Sequence, residues 1–272
     1  MDCKKHYHRA LTIAGSDPSG GAGLQADLKT FAACGCYGAS AVVAVVDENT
    51  VGVTGVHPIP VDFVTGQIKS VLDDIGADAI KIGMLHSSEL ILAVRDTLQR
   101  YDIRNIVLDP VMVATSGDRL LLEEAIDTLK QELIPMARVI TPNIPEAEIL
   151  LGREISRQEE LPELAAELSA RYRTSVLLKA GHLHDDKLVD VFHNAETGRS
   201  TLLASPRMNT VNTHGTGCTL SSAVAAHLAR GYELDDAVIA GKEYIRKAIE
   251  AGAEYEIGHG HGPVHHFHAF WE

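Results

Sequence analysis

Residues 10–29 read Ala10-Leu-Thr-Ile-Ala-Gly-Ser-Asp-Pro-Ser-Gly-Gly-Ala-Gly-Leu-Gln-Ala-Asp-Leu-Lys29. The stretch begins with an apolar run of strand length and continues into a glycine-rich turn at residues 15–23. Leu24, Leu28 and Phe31 then recur at i, i+4 and i+7, which is the spacing of one face of an α-helix. The stretch therefore predicts a strand, a turn and a helix, in that order.

The same alternation of strand and helix continues along the chain. Apolar runs typical of strands occur at residues 40–46, 79–82, 105–108, 138–141 and 175–179. Helical patterns occur at residues 61–75, 87–101, 123–133, 145–151 and 159–172, and an apolar stripe indicates another helix from residue 234. Residues 188–193 and 200–204 predict a β-hairpin. This order predicts an α/β fold in which helices cover both faces of a mainly parallel central sheet, and we expect a single domain over residues 1–272.

The charge and the apolar content of the chain indicate which kinds of partner it is unsuited to bind. The 272-residue chain is 45% apolar and carries a formal net charge of −13. Such an acidic balance is unfavourable for binding to nucleic acid or to an anionic membrane. Residues 1–9 are polar and mixed, unlike a signal peptide, and the longest apolar run, at residues 39–46, is too short to cross a bilayer. We therefore expect a cytoplasmic protein without a nucleic-acid or membrane partner.

The strongest local signal is Asn212-Thr-His-Gly-Thr-Gly-Cys-Thr-Leu-Ser-Ser222, a loop that runs into an alanine-rich helix. The free N–H groups and the dipole of a helix N-terminus attract anions, and small residues let a phosphate approach the backbone. Gly215, Thr216 and Gly217 therefore predict a phosphate-binding turn. The alternative is a helix start whose glycines only relieve crowding, and the spacing alone does not decide between the two.

Cys218 lies in the first turn of that predicted helix. Helix N-termini lower thiol pKa values, so this thiol is a candidate base for a substrate alcohol. The alternative is a small packed residue, which is the usual role of a free cysteine.

Polar residues follow several predicted strands, at the edge where open α/β sheets bind ligands. Asp109 directly follows a buried strand, and Asn143 and Glu146 lie three residues apart across a strand-to-helix turn. Because Mg²⁺ prefers a few oxygen ligands together with waters and phosphates, these residues predict a diffuse magnesium site. Asn143 is equally suited to be a helix N-cap. Lys179 at a strand end could neutralise a phosphate, or it could be a solvated strand end.

Two further segments carry weaker signals. Residues 15–23 lack the Lys-Ser/Thr of a P-loop, and Pro18 interrupts a dinucleotide fingerprint, so we interpret the segment as a wall of the substrate site. The C-terminal region is rich in histidine, but its spacing matches no helical zinc motif and we expect no functional metal there. Its histidines are His259, His261, His265, His266 and His268.

Taken together, the motifs resemble the hydroxymethylpyrimidine/phosphomethylpyrimidine kinases of thiamine biosynthesis, over nearly the whole chain. The motifs are residues 10–29, Lys81-Ile-Gly-Met-Leu85, Leu108-Asp-Pro-Val-Met-Val113, Thr141-Pro-Asn-Ile-Pro-Glu146, His214-Gly-Thr-Gly-Cys-Thr-Leu-Ser-Ser222 and the Gly262-Pro-Val-His-His tail. The resemblance implies a ribokinase-like fold, ATP and Mg²⁺ as cofactors, and a homodimer. It also implies two reactions: phosphorylation of the hydroxymethyl group of 4-amino-5-hydroxymethyl-2-methylpyrimidine, then conversion of the monophosphate to the diphosphate.

The resemblance also implies roles for individual residues. Cys218 is the catalytic base, and Gly215, Thr216, Gly217 and Cys218 form the anion hole. Asp109 and Glu146 serve the metal and the phosphates, with Asn143 and Lys179 close by. The pyrimidine pocket is implied to be lined by Gly15, Ala22, Asp27, Val46, Met84 and Val111.

One position departs from the family pattern. The family usually has glutamine before Asn-Thr, where this chain has Glu48. A glutamine amide both donates and accepts hydrogen bonds, whereas a carboxylate only accepts. Glu48 must therefore meet a protonated ring nitrogen, be protonated itself, or bind a different ring, unless the replacement has little consequence.

Two other functions follow from this departure and from the fold. A pyridoxal kinase on the same fold is the first, because a carboxylate suits the more basic pyridine nitrogen. A non-catalytic pyrimidine-binding regulator is the second. We expect such a regulator to have lost the Gly-Thr-Gly-Cys turn or a magnesium carboxylate, and both are intact here.

Overall fold

The computed structural model describes residues 5–112, 123–183 and 187–271. Its strands are β1 (Arg9–Ala14), β2 (Tyr37–Val42), β3 (Ala44–Asn49), β4 (Gly52–Pro58), β5 (Ala79–Ile82), β6 (Ile106–Leu108), β7 (Val139–Ile140), β8 (Ser175–Leu178), β9 (Lys187–Asn194) and β10 (Arg199–Pro206). Its α-helices are α1 (Gly23–Ala33), α2 (Val61–Asp74), α3 (Ser88–Leu98), α4 (Glu123–Thr128), α5 (Ile144–Leu151), α6 (Leu161–Tyr172), α7 (Thr216–Ala229) and α8 (Leu234–Gly252). A π-helical turn, Leu129–Leu133, extends α4. Val113, the last residue of one motif, lies outside the described residues.

The central sheet has eight strands in the order β10-β9-β8-β7-β6-β5-β1-β2. Six adjacent strands pair in parallel, namely β8, β7, β6, β5, β1 and β2, whereas β9 and β10 run antiparallel to their neighbours. The mainly parallel sheet and the hairpin formed by β9 and β10 confirm the two predictions. Every residue of β5, β6 and β8 is buried, as expected for strands covered on both faces.

Helices cover both faces of this sheet, as predicted. One apolar cluster packs α2, α3, α5 and α6 against it through residues such as Ile68, Leu90 and Leu164. A second cluster packs α1, α7 and α8 on the other face, with Phe31 and Val224 among its members. Across the described parts of the chain, no helix combines the length and apolar character that crossing a bilayer requires.

The prediction of one strand over residues 40–46 was wrong. The strand ends at Val42, and β3 leaves the central sheet to pair with β4 in a separate two-stranded sheet. Val43 lies at the break, where its N–H donates to the carbonyl of Ala14 and its carbonyl accepts from the N–H of Ile59. We call residues 44–58 the flap. The flap carries Glu48, one of the predicted site residues.

Candidate active site

A cavity of about 640 Å³ opens at the carboxyl ends of the parallel strands, where open α/β sheets bind ligands. With the exception of Asp27, the predicted site residues line it. They are Gly15, Ala22, Val46, Glu48, Met84, Asp109, Val111, Asn143, Glu146, Lys179, Gly215, Thr216, Gly217 and Cys218. Motifs far apart in the chain therefore meet in one place, and the contacts of each residue show what it can do there.

The turn before α7 depends on two glycines. Gly215 has a φ of 77°, a left-handed conformation that favours glycine, and a Cβ there would lie 1.8 Å from the carbonyl oxygen of Gly21. The first N–H groups of a helix have no carbonyl partner within it. The N–H of Thr216 donates to the Thr213 carbonyl at 3.3 Å, so the N–H groups of Gly217 and Cys218 offer the anion site. A Cβ on Gly217 would lie 3.3 Å from Asp109 Oδ2 and 3.4 Å from Lys179 Nζ. We call residues 215–218 the anion turn. The charged side chains of Asp109 and Lys179 therefore face it directly.

The thiol of Cys218 does not ionise as the sequence suggested. Burial raises its pKa to about 11, and the nearby cation of Lys81 only partly opposes this. The negative charges of Asp27 and Asp109 add to the rise. The expectation of a lowered pKa was wrong, because burial and the two carboxylates raise it. Cys218 is therefore a protonated thiol in the resting protein at neutral pH.

Lys179 belongs to the site and is not a solvated strand end. Its side chain is 15% exposed, and its Nζ lies 3.3 Å from Asp109 Oδ1. The hydroxyl of Thr141 donates to the same Oδ1 at 3.0 Å. The carboxylates of Asp109 and Glu146 outweigh burial and raise the pKa of Lys179, so it is a fixed cation beside the anion turn.

Asn143 caps α5, as one of its two interpretations predicted. Its Oδ1 accepts from the N–H of Glu146 at 2.9 Å, and Glu146 Oε2 accepts from the N–H of Asn143 at 2.8 Å. This capping box fixes the Glu146 carboxylate at the cavity wall. Burial, together with the charge of Asp109, raises the pKa of Glu146 to about 7.

The carboxylates of Asp109 and Glu146 suit a loosely held magnesium ion. The described residues contain no group of three or more His, Cys, Asp and Glu side chains placed to hold a metal. Asp109 and Glu146 nevertheless share the cavity, and repulsion between them contributes to the raised pKa of Glu146. A divalent cation would relieve this repulsion. Mg²⁺ typically binds through one or two carboxylates, waters and substrate phosphates, which is the set of ligands available here.

Asp27 does not line the cavity, which corrects the role implied by resemblance. It is 0% exposed, and its carboxylate accepts from Lys81 Nζ at 2.8 and 2.9 Å, Thr12 Oγ1 at 2.6 Å and Ser222 Oγ at 2.7 Å. Lys81, which is also 0% exposed, lies directly behind the cavity lining. The sequence signal for Lys81, which we missed, is a lysine inside the otherwise apolar strand Ala-Ile-Lys-Ile.

A small apolar wall stands beside the anion turn. A Cβ on Gly15 would lie 3.3 Å from Met84 Cε and 3.6 Å from Val46 Cγ2, so these three residues meet around one space. Both ends of the segment 15–23 line the cavity, through Gly15, Ser16, Ala22 and Gly23, and its role as a wall of the substrate site stays a prediction. Because Gly15 has no side chain, a space remains between its backbone and the apolar side chains of Val46 and Met84. This space suits a flat ring.

Glu48 lies half-buried at the same wall, near a second carboxylate. Burial and the charge of Asp17 raise the pKa of Glu48, and His214 opposes them. Asp17 is itself ionised: burial disfavours its charge, but hydrogen bonds from His214, Ser19 and Ala22 hold its pKa well below the usual range. The Asp17 Oδ2 to His214 Nε2 distance is 2.9 Å. Glu48 therefore accepts a proton more readily than an exposed glutamate.

Other elements line the rest of the cavity, and the sequence analysis did not assign them to the site. The strands β9 and β10, the segment after them and α8 contribute apolar and basic side chains there. They include Leu188, Pro206, Met208, Lys242, Ile245, Arg246 and Ile249. In the sequence, Ile245 and Ile249 belong to an apolar helical stripe. Such a stripe does not show whether its residues line a cavity or pack in the core. Lys242 is held by Asp190, with 2.6 Å between Nζ and Oδ2.

Residues 17–265 match the family described as "Phosphomethylpyrimidine kinase". The chain belongs to this family. A relative from Escherichia coli (strain K12), a hydroxymethylpyrimidine/phosphomethylpyrimidine kinase, is 49% identical over 263 residues, which is 96% of this chain and 98% of the relative. The family predicted from the motifs is confirmed.

Solved structures support the same fold. The phosphomethylpyrimidine kinase of Clostridium difficile 630 is 42% identical, with a TM-score of 0.77, over 89% of this chain and 99% of that one. A Bacillus subtilis pyridoxal kinase, solved as an ADP complex, is 39% identical, with a TM-score of 0.88, over 96% and 98% of the two chains. The family fold is therefore shared with pyridoxal kinases, at lower sequence identity.

Proposed function

We propose that the protein catalyses two successive phosphoryl transfers from ATP, first to the hydroxymethyl group of 4-amino-5-hydroxymethyl-2-methylpyrimidine and then to the monophosphate. Membership of the family supports this activity. The observation that carries it is the approach of Asp109 and Lys179 to within 3.3–3.4 Å of a Cβ placed on Gly217. Phosphoryl transfer needs little covalent help from a protein and depends on positioned charge, which this arrangement supplies.

Each part of the site has a distinct role in this reaction. The wall of Gly15, Val46 and Met84 holds the ring, and Glu48 meets its polar edge. The anion turn and Lys179 stabilise charge on the transferred phosphoryl group. Asp109 and Glu146 would hold Mg²⁺, which would neutralise phosphate charge when bound.

The nucleotide occupies the part of the cavity lined by β9, β10 and α8. Apolar residues such as Ile245 and Ile249 offer contacts to a base. Lys242 and Arg246 also line this part of the cavity, where they are paired with Asp190 and with Glu243 and Glu250, respectively. The ADP complex of the Bacillus subtilis pyridoxal kinase shows that a protein of this fold accepts a nucleotide. Family resemblance also supports a homodimer, which light scattering of the purified protein tests.

Pyridoxal phosphorylation is the second candidate function. Glu48 favours it, because a carboxylate pairs well with a protonated pyridine nitrogen. ATP consumption measured with the pyrimidine alcohol, its monophosphate and pyridoxal separates the candidates. We expect the highest kcat/KM with the pyrimidine substrates. A preference for pyridoxal would replace the main proposal, and binding of the pyrimidine without turnover would indicate a regulator.

Replacing Glu48 with glutamine should change how KM for the alcohol depends on pH. If the Glu48 carboxylate accepts from the ring's amino edge, this charge-assisted bond contributes about 1.5–3 kcal/mol. Because the pKa of Glu48 is raised, the bond weakens and KM rises as pH falls through that pKa. Glutamine does not titrate, so KM of Glu48→Gln should stay flat over the same range. Identical pH profiles for the two proteins would exclude this contact.

Replacing Glu146 with glutamine should lower activity by about 10–100-fold, as for other changes to the surroundings of a bound metal. Activity should recover partly when Mg²⁺ is raised, because Asp109 remains to hold the ion. Initial rates over a Mg²⁺ titration measure this. Glu148→Gln is a control on the same helix, since Glu148 accepts from the N–H of Ile155 and lies outside the cavity lining. Wild-type activity without any divalent cation would overturn the assignment.

A further inference from the structure

The C-terminal segment Gly258-His-Gly-His-Gly-Pro-Val-His-His266 has no part in the mechanism above. Its histidine pattern suggested metal binding without matching a metal motif, and over the described ranges no set of side chains suited to a metal was found. The backbone of this segment, however, makes contacts at two separated places. We call residues 258–266 the strap.

One end of the strap holds the tip of the flap. The N–H groups of His259 and Gly260 both donate to Thr50 Oγ1 at 3.2 Å, and the N–H of His261 donates to the Thr50 carbonyl at 2.8 Å. A Cβ on Gly258 would lie 2.3 Å from Thr50 Oγ1, and one on Gly260 would lie 2.0 Å from the Thr50 carbonyl oxygen. The glycines of the strap therefore allow an approach that other residues would block.

The other end of the strap holds the anion turn. The Gly262 carbonyl accepts from the N–H of His214 at 3.0 Å, and a Cβ on Gly262 would lie 2.1 Å from Asn212 Oδ1. On the far side of the turn, His266 Nε2 lies 3.0 Å from the hydroxyl of Thr219. The strap thus contacts the chain both before and after residues 215–218.

The flap depends on such support. A two-stranded sheet is marginally stable by itself. At its base the flap is tied to Ser16, whose N–H donates to the Ala44 carbonyl at 2.9 Å and whose hydroxyl accepts from the N–H of Val46 at 3.0 Å. Glu48 lies between this base and the tip, next to an irregularity in the pairing of β3 with β4. Its position is therefore defined only while both ends of the flap are held.

We propose that the strap is a positioning element that fixes the flap relative to the anion turn, and that Thr50 is its anchoring residue on the flap. The inference rests on the proposed function, because it takes the flap as a wall of the alcohol site. Loss of the Thr50 anchor moves Glu48 and weakens substrate binding. Loss of the contact at Thr219 disturbs the anion turn and slows phosphoryl transfer.

The test replaces Thr50 with valine, which keeps the shape of the side chain and removes the acceptor of two N–H groups. We expect KM for the alcohol to rise about tenfold, because two hydrogen bonds that hold the tip of the flap are lost, while kcat and KM for ATP stay within about twofold. Thr50→Ser, which keeps the hydroxyl, should restore the wild-type KM. Thr219→Val should lower kcat and leave KM for the alcohol unchanged.

Thr54→Val is the matched control. Thr54 lies on the same flap, and its hydroxyl bonds to the Asp47 carbonyl at 3.2 Å, away from the strap. Amide hydrogen exchange adds a readout that does not depend on the substrate: residues 44–50 should exchange faster in Thr50→Val than in Thr54→Val. A purely stabilising strap would lower Tm and the active fraction without changing KM, and this result would overturn the proposal. Unchanged exchange in the flap would also overturn it, whereas a wild-type protein that phosphorylates no pyrimidine would count against the proposed function.

Discussion

Replacing Cys218 with alanine is expected to lower kcat/KM for the pyrimidine alcohol by about 10²–10⁴-fold at alkaline pH, the usual contribution of a positioned base, and by less at neutral pH, where the thiol is protonated. The alcohol is a poor nucleophile while it keeps its proton, so the first phosphorylation needs a proton acceptor. The second phosphorylation does not. A phosphate monoester has a second pKa of about 6, so its attacking oxygen is already ionised at neutral pH.

The monophosphate should therefore lose far less activity in Cys218→Ala. Catalysis of the second step depends on positioning and on the amides of the anion turn, which belong to the backbone and survive the substitution. Both substrates are compared under one set of conditions, with chemistry rather than product release limiting the rate. Equal losses on the two substrates would mean that Cys218 contributes by packing or by positioning phosphate, and the role as a base would be abandoned.

The pH dependence gives a second check on the same residue. A base is active in its deprotonated form, and burial raises the pKa of the Cys218 thiol to about 11. Wild-type kcat/KM for the alcohol should therefore keep rising as pH increases from neutral toward that value. The Cys218→Ala enzyme, which lacks the thiol, should not show this rise.

Replacing Asp27 with asparagine should destabilise the fold by about 3–5 kcal/mol, the usual cost of leaving one charge of a buried ion pair without its partner. Lys81 Nζ lies 2.8 Å from the Asp27 carboxylate, and both side chains are 0% exposed. Urea unfolding measures the loss. The double variant Asp27→Asn/Lys81→Met should recover much of it, because neither charge remains buried.

The pH dependence of stability separates charge burial from simple loss of hydrogen bonds. Without Asp27, burial should depress the pKa of Lys81 in the folded state below its unfolded value of about 10.4. The unfolded state then binds more protons, so the stability of Asp27→Asn should rise as pH increases toward 10. Wild-type stability should not gain in this way, because Asp27 raises the pKa of Lys81 in the fold despite its burial. A constant deficit across this range would exclude the charge explanation.

The periodic elements of the fold could be predicted from sequence because their signals are local. Short, mainly apolar runs and i, i+4 patterns predicted β5, β8 and α6 within a residue or two of their observed ends. The flap was missed because residues 40–46 form one apolar run, and nothing in that run marks Val43 as the point where the chain leaves the sheet. That break depends on hydrogen bonds to Ala14 and Ile59, which are distant in sequence.

In the site, too, local patterns could be predicted from sequence and contacts between distant residues could not. Motifs located the cavity, but they could not separate a residue at its surface from one beneath it: Asp27 lies in the motif of residues 10–29 and yet is enclosed by Lys81, Thr12 and Ser222. The pKa of Cys218 was predicted in the wrong direction because the helix position is visible in sequence and the burial is not. The contact between Thr50 and Gly260 joins residues 210 positions apart, which no local pattern reveals.

The contact between the glycine-rich turn and the anion turn has a consequence for how the family can change. A Cβ on Gly215 would lie 1.8 Å from the Gly21 carbonyl oxygen, and a Cβ on Gly21 would lie 2.4 Å from His214 Cδ2. A substitution in either turn is therefore blocked by the other, and their effects are not additive, as for residues in direct contact generally. The two turns therefore constrain each other's sequence, and a change at one of these positions requires a compensating change at the other.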